Sequence, residues 1–110
     1  MNDDRSGGEA LSLKMLLDTR LIESVQVHDY VQMQFSGERT LSVFNRLDTE
    51  PSSINMLEGR HVSFVEANDR DVIIRFKEGG EVRIGMDDDS YNGPEAMTLA
   101  DGRGRIVVWN

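Results

Sequence analysis

Apolar and polar residues alternate over Val31, Gln32, Met33, Gln34 and Phe35, and the same beat returns over Val72, Ile74 and Phe76 and over Val82 and Ile84. A period of two makes a strand with one dry face and one wet face. Two stretches upstream of these strands are also alike. Leu17, Asp18, Arg20, Ile22 and Val25 return as Leu57, Glu58, Arg60, Val62 and Val65. The match continues as Val31, Met33, Phe35, Leu41 and Val43 map onto Val72, Ile74, Phe76, Val82 and Ile84. The chain therefore reads as a duplicated β-unit, residues 17–45 and 57–86, related by a pseudo-twofold.

Loop parity follows from the same pattern. Cross-strand partners share a face of the sheet. Placing Met33 opposite Val43 and Phe35 opposite Leu41 requires an odd loop, with Gly37 available for a positive φ. The second copy gives the same answer, with Ile74 facing Ile84, Phe76 facing Val82, and Gly79-Gly80 in the turn. His28-Asp29 and residues 68–71 are turns by composition. A last hairpin over residues 95–109 sets Met97 and Leu99 opposite Val108 and Ile106, an even parity that predicts a two-residue turn at Gly102-Arg103.

Leu13, Leu16 and Leu17 recur at helical spacing and predict one short N-terminal helix over residues 10–17, with Ser12 as its cap; the alternative is a lead-in strand. Residues 1–9 are polar and Gly-rich and are expected to be disordered. Residues 45–55, with Pro51, read as a connection that ends in a helical turn over 53–57. The predicted fold is mainly β. It is a small antiparallel sandwich or half-open barrel of about eight strands, forming a single domain over 1–110, with the last hairpin covering or extending one edge. The expected core is Ile22, Val25, Val31, Met33, Phe35, Leu41, Val43, Val62, Val72, Ile74, Phe76, Val82, Ile84, Leu99, Ile106 and Val108.

Charge changes the picture most. Twenty acidic against twelve basic residues give −8. That repels phosphate backbones and anionic membrane surfaces, so neither nucleic acid nor membrane is an expected partner. It favours encounter with a basic protein. Cysteine is absent, which removes disulfides and thiolate chemistry. The N-terminus has no basic-then-apolar layout, so no signal peptide is read, and a cytoplasmic location is expected.

Candidate chemistry is sparse. Asp87, Asp88 and Asp89, with Asn92 and Glu95, are the densest set of oxygen ligands. The calcium-loop layout fails, because Asn92 stands where glycine belongs and no helices flank the loop. A solvated acidic loop is the better reading, and no metal or other cofactor is predicted. His28 and His61 lack partners at a telling spacing, and no serine sits in a nucleophile elbow, so no enzyme is predicted. Arg20 and Arg60 recur with the repeat and read as structural or exposed charges. Tyr30, Tyr91 and Trp109 are prominent aromatics. Phe44, Ile73 and Val107 alternate away from their core neighbours and would form either an apolar surface patch or a second layer.

The pattern Leu57-x-x-Arg60-x-Val62, then Val72-x-Ile74-x-Phe76-x-x-Gly79-Gly80-x-Val82-x-Ile84, followed by Tyr91, Asn92, Gly93, Pro94, Glu95 and Ala96, resembles small bacterial β-domains. Some of these are similar to immunity proteins of polymorphic or contact-dependent toxin systems. The resemblance covers residues 56–109. It implies a non-enzymatic role, in which the domain binds and blocks a basic toxin. On that reading the partner-binding residues are Asp87, Asp88, Asp89, Tyr91 and Glu95, with Trp109 as an anchor. The alternative is a self-associating structural or assembly module that uses the Phe44/Ile73 face.

Overall fold

The computed structural model describes residues 12–110. The expectation of disorder over residues 1–9 lies outside them. The described residues form nine strands in two antiparallel sheets, and these do not close into a barrel. The strands are β1 (Leu21–Val27), β2 (Tyr30–Phe35), β3 (Arg39–Val43), β4 (Leu47–Glu50), β5 (Val62–Ala67), β6 (Asp71–Phe76), β7 (Glu81–Gly85), β8 (Met97–Ala100) and β9 (Ile106–Trp109). The first sheet runs β1-β2-β3-β8-β9 and the second β4-β7-β6-β5. Strand β4 falls where the sequence predicts a connection, because its pattern Leu47, Asp48, Thr49, Glu50 holds a single strong apolar residue. Its pairing with β7, Leu47 opposite Ile84, makes it a strand.

The duplication holds over the backbone, with one correction. Residue i of the first copy matches residue i + 41 of the second throughout, so Arg20 corresponds to His61 and not to Arg60. Leu21 pairs with Phe35 and Val62 with Phe76, and each first strand carries a bulge immediately afterwards. The hydrogen bonds between the copies are reciprocal. Leu21 N donates to Arg60 O at 2.9 Å and Val62 N to Thr19 O at 2.8 Å. Asp18 N donates to Val62 O at 2.8 Å and Gly59 N to Leu21 O at 2.7 Å. Asp18 and Gly59 both take positive φ. Arg20 and His61 pair with each other across this pseudo-twofold. The strands that follow the two meanders then change places. β4 leaves the first meander to pair with β7, and β8 leaves the second to pair with β3.

The bulges explain which residues are core. A bulge adds one residue to one strand and reverses its alternation. In β1, Leu21 and then Ser24 face inward, while Ile22 is 48% exposed and Val25 41%. The expected core placement of Ile22 and Val25 is thus corrected. Leu21, Leu16, Leu57 and Leu13 fill the space instead, together with Met33, Phe35, Leu41, Val43, Val62, Val72, Ile74, Phe76, Val82, Ile84 and Leu99. The helix over residues 10–17 reduces, among the described residues, to a helical turn ending in a 3-10 segment, Lys14–Leu16, which plugs Leu13 and Leu16 into the core. The expected turn near residue 55 is present as a 3-10 segment, Ile54–Leu57.

The hairpins show what parity can and cannot fix. The loop after β2 is odd, three residues, but the pairs are Met33 with Leu41 and Val31 with Val43. The second copy shifts identically, with Ile74 opposite Val82 and Val72 opposite Ile84. A shift by two preserves faces and is invisible to alternation. The last hairpin departs by one residue: Met97 pairs with Trp109 and Leu99 with Val107. Asp101 causes the odd parity. Asp101 N donates to Arg105 O, and its carboxylate accepts from the backbone N–H of Arg103 and Arg105. Gly102 and Gly104 supply the positive φ that this turn needs. Consequently Trp109 and Val107 face the core, while Ile106, 62% exposed, and Val108 face out.

Candidate functional site

The acidic loop lies between β7 and β8 and is held from below. Gly85 and Met86 donate backbone N–H groups to Arg46 O and Arg70 O, both at 2.8–2.9 Å, and Arg46 N donates to Ser90 O at 2.9 Å. Gly85 is needed there because a Cβ would collide with Ser90. Asn45, buried where the chain crosses between sheets, donates from Nδ2 to Gly85 O at 2.7 Å. Asn92 Nδ2 donates to Phe44 O at 2.9 Å. These bonds tie the loop to the segment that follows β3.

The loop's three aspartates diverge. Asp87 turns onto buried Ser90, whose hydroxyl donates to it. That bond, and then the fields of Arg46 and Arg70, hold its carboxyl below the usual aspartate range. Asp88 and Asp89 form an exposed 3-10 turn with Ser90. Among the described residues, no group of three or more His, Cys, Asp or Glu side chains is placed to hold a metal ion.

Tyr91 is half-buried against the core, and its hydroxyl donates to Asn110 O at 2.8 Å. Glu95 is exposed on the rim of a small cleft of about 180 Å³ formed with Asp29, Phe44, Asn92, Gly93 and Pro94. Phe44 packs against Tyr30 with ring centroids 5.1 Å apart. Trp109 is 5% exposed and part of the core, so it cannot anchor a partner; this corrects the sequence expectation. Phe44, Ile73 and Val107 do not make one patch either. Ile73 is buried on the outer face of the second sheet between Glu66 and Arg83, and Val107 packs inward. Alternation had marked Phe44. The turn residue Asp29 and the floor residue Pro94 gave no such signal, because only the folded chain brings them beside it.

Two other clefts carry charged or hydroxyl side chains. One, of about 320 Å³, is lined by Arg46, Arg70 and Arg83 together with Asp48, Asp71 and Asp87. Arg83 already bonds Asp71 at 2.9 Å. The other, of about 560 Å³, opens between β1, β4 and Ile54, with Ser24, Gln26 and Thr49 on its walls. Ser24 is committed to Glu58, both Oγ and N donating to the carboxylate.

His61 and Glu78 form an imidazole–carboxylate pair at 2.7 Å. Among the described residues no hydroxyl bonds this imidazole. The His61 backbone N–H also donates to Glu78, at 2.7 Å. This bond first, and the imidazole second, lower the Glu78 carboxyl to about 2.

Comparison with protein-family models, with curated proteins and with solved structures returned no match. No helix among the described residues is long and apolar enough to cross a membrane.

Proposed function

We propose that this chain is a non-enzymatic protein-binding domain of the immunity or inhibitor type, which blocks a basic partner with the loop end of its first sheet. One observation carries the reading. Asp29, Asp88, Asp89 and Glu95 are exposed, and none takes part in an ion pair among the described residues. Asp29 and Glu95 flank a cleft to which Phe44 and Pro94 contribute apolar surface. An apolar site flanked by two carboxylates suits a lysine or arginine, whose stem packs on the Phe44 ring and whose head meets the acids. Tyr91 contributes its ring, since its hydroxyl is committed.

The test is binding to the protein encoded by the neighbouring reading frame, followed by titration calorimetry. Changing Asp88 and Asp89 to Asn and Glu95 to Gln together is expected to weaken association at least about tenfold and to flatten its salt dependence. Equal affinity and equal salt slope for the triple variant would take this loop out of the interface.

A further inference from the structure

The four sheet edges differ in how they are protected. Open edges present unpaired N–H and C=O groups and are blunted by bulges, charges, prolines or short length. β1 and β5 each carry a bulge, and the residues before them pair across the pseudo-twofold. β4 alternates Asp48 and Glu50 with its other residues and runs directly into Pro51. β9 is short, but it has no bulge, charge or proline. Its four residues, Ile106, Val107, Val108 and Trp109, carry no charge, and its pairing with β8 is regular. It is also the one strand without a counterpart in the first copy.

The edge groups can be assigned. Asp101 and Arg105 are opposite and hydrogen-bonded. Antiparallel pairs alternate between bonded and non-bonded. Leu99 with Val107 and Met97 with Trp109 are then the bonded pairs, and Ala96 N donating to Trp109 O agrees. The N–H and C=O groups of Ile106 and Val108 therefore point to the open edge. Their side chains lie on an outer face that is nearly free of charge. One row across it is Val25, Gln32, Ser42, Thr98 and Val108, and the next is Glu23, Gln34, Thr40, Ala100 and Ile106.

We infer that β9 is the pairing edge for a second copy of this chain, antiparallel about a twofold, with Ile106 of one copy opposite Val108 of the other. Each copy is acidic overall, and local charge favours the antiparallel direction. The turn before β9 presents Arg103 and Arg105, exposed and without an ion-pair partner among the described residues. The far end of β9 meets the acidic loop, where Tyr91 bonds Asn110 and Ala96 bonds Trp109. Antiparallel apposition brings the two arginines of each copy toward the acidic loop of the other. Parallel apposition would set like charges together. The junction offers two bonded pairs, so the dimer is weak and concentration-dependent.

Sedimentation equilibrium over a dilution series up to about 1 mM decides this, at a range where weak association of this size is populated. The expected result is a mass that rises toward twice the monomer. Ile106→Lys places a charge on an exposed side chain and leaves the fold untouched. Val108→Pro removes an outward N–H without breaking the bonds to β8. Loss of the dimer in either variant, with an unchanged circular dichroism spectrum, supports the pairing. A wild-type chain that stays monomeric throughout, or a dimer that survives in every folded variant, overturns it. No partner protein enters this measurement, so its outcome is independent of the toxin-binding reading.

Discussion

The two copies of the repeat share an interior and differ outside. At i and i + 41 the inward residues are Leu21 and Val62, Val31 and Val72, Met33 and Ile74, Phe35 and Phe76, Leu41 and Val82, and Val43 and Ile84. Every pair is apolar. The outward residues are Val25 and Glu66, Gln32 and Ile73, Gln34 and Arg75, Thr40 and Glu81, and Ser42 and Arg83. The first outer face is nearly neutral. The second is laced by Arg75–Glu81 at 3.1 Å, Arg83–Asp71 at 2.9 Å and Arg83–Glu81 at 3.1 Å, with Arg75 over Phe64. Interiors are constrained by close packing, whereas a solvated face tolerates most changes. One backbone plan thus yields one sheet stapled by ions and one whose outer face is nearly uncharged.

The shared interior is the hardest part to break. Phe35 and Phe76 are 1% and 4% exposed at equivalent positions. Phe35→Ala and Phe76→Ala should each cost about 3–5 kcal/mol. Urea denaturation should give closely similar losses. A difference of several-fold between them would mean that the copies do not carry equal shares of one core.

The outer faces should differ at a smaller scale. Arg75→Ala removes a half-exposed ion pair and a ring contact, a loss of about 0.5–1 kcal/mol that shrinks at high salt. Its counterpart Gln34→Ala is exposed and should shift stability by less than about 0.5 kcal/mol at any salt concentration. Salt-dependent destabilisation at Gln34 would contradict the contrast between the sheets.

The smallest effect is the sharpest chemically. Arg20 N and His61 N occupy equivalent places, and each donates to a side chain: Ser36 Oγ at 2.9 Å and Glu78 Oε1 at 2.7 Å. Only the second acceptor titrates. Its folded value of about 2 lies well below the ordinary glutamate value of 4.5. Its stabilisation is therefore complete above about pH 4.5 and is lost as the pH falls toward 2. Glu78→Gln should flatten that stretch of the acid-denaturation curve, and Ser36→Ala should leave its shape unchanged.

Residue periodicity sufficed for the β class, the repeat, the odd central loops and the interior of β2, β3, β6 and β7. It failed at the bulged strands and at the last hairpin. There, alternation over a few residues is broken by a single backbone insertion or by the Asp101 turn, and a one-residue error exchanges inside for outside. Ile22, Ile106 and Trp109 were misplaced for that reason. Of the candidate binding residues, the loop acids were legible as a run of charge. The cleft that organises two of the acidic residues was not, since Asp29, Phe44 and Pro94 come from three separate segments.

By itself, then, the sequence determined which segments are strands with a dry face and that they recur, because alternation is a local property of the chain. The tertiary structure alone decided that β4 and β8 change places between the meanders, that Leu16 and Leu57 close the interior, and that β9 lies at a sheet edge. Those outcomes depend on hydrogen bonds between residues distant in the chain, which no local pattern encodes.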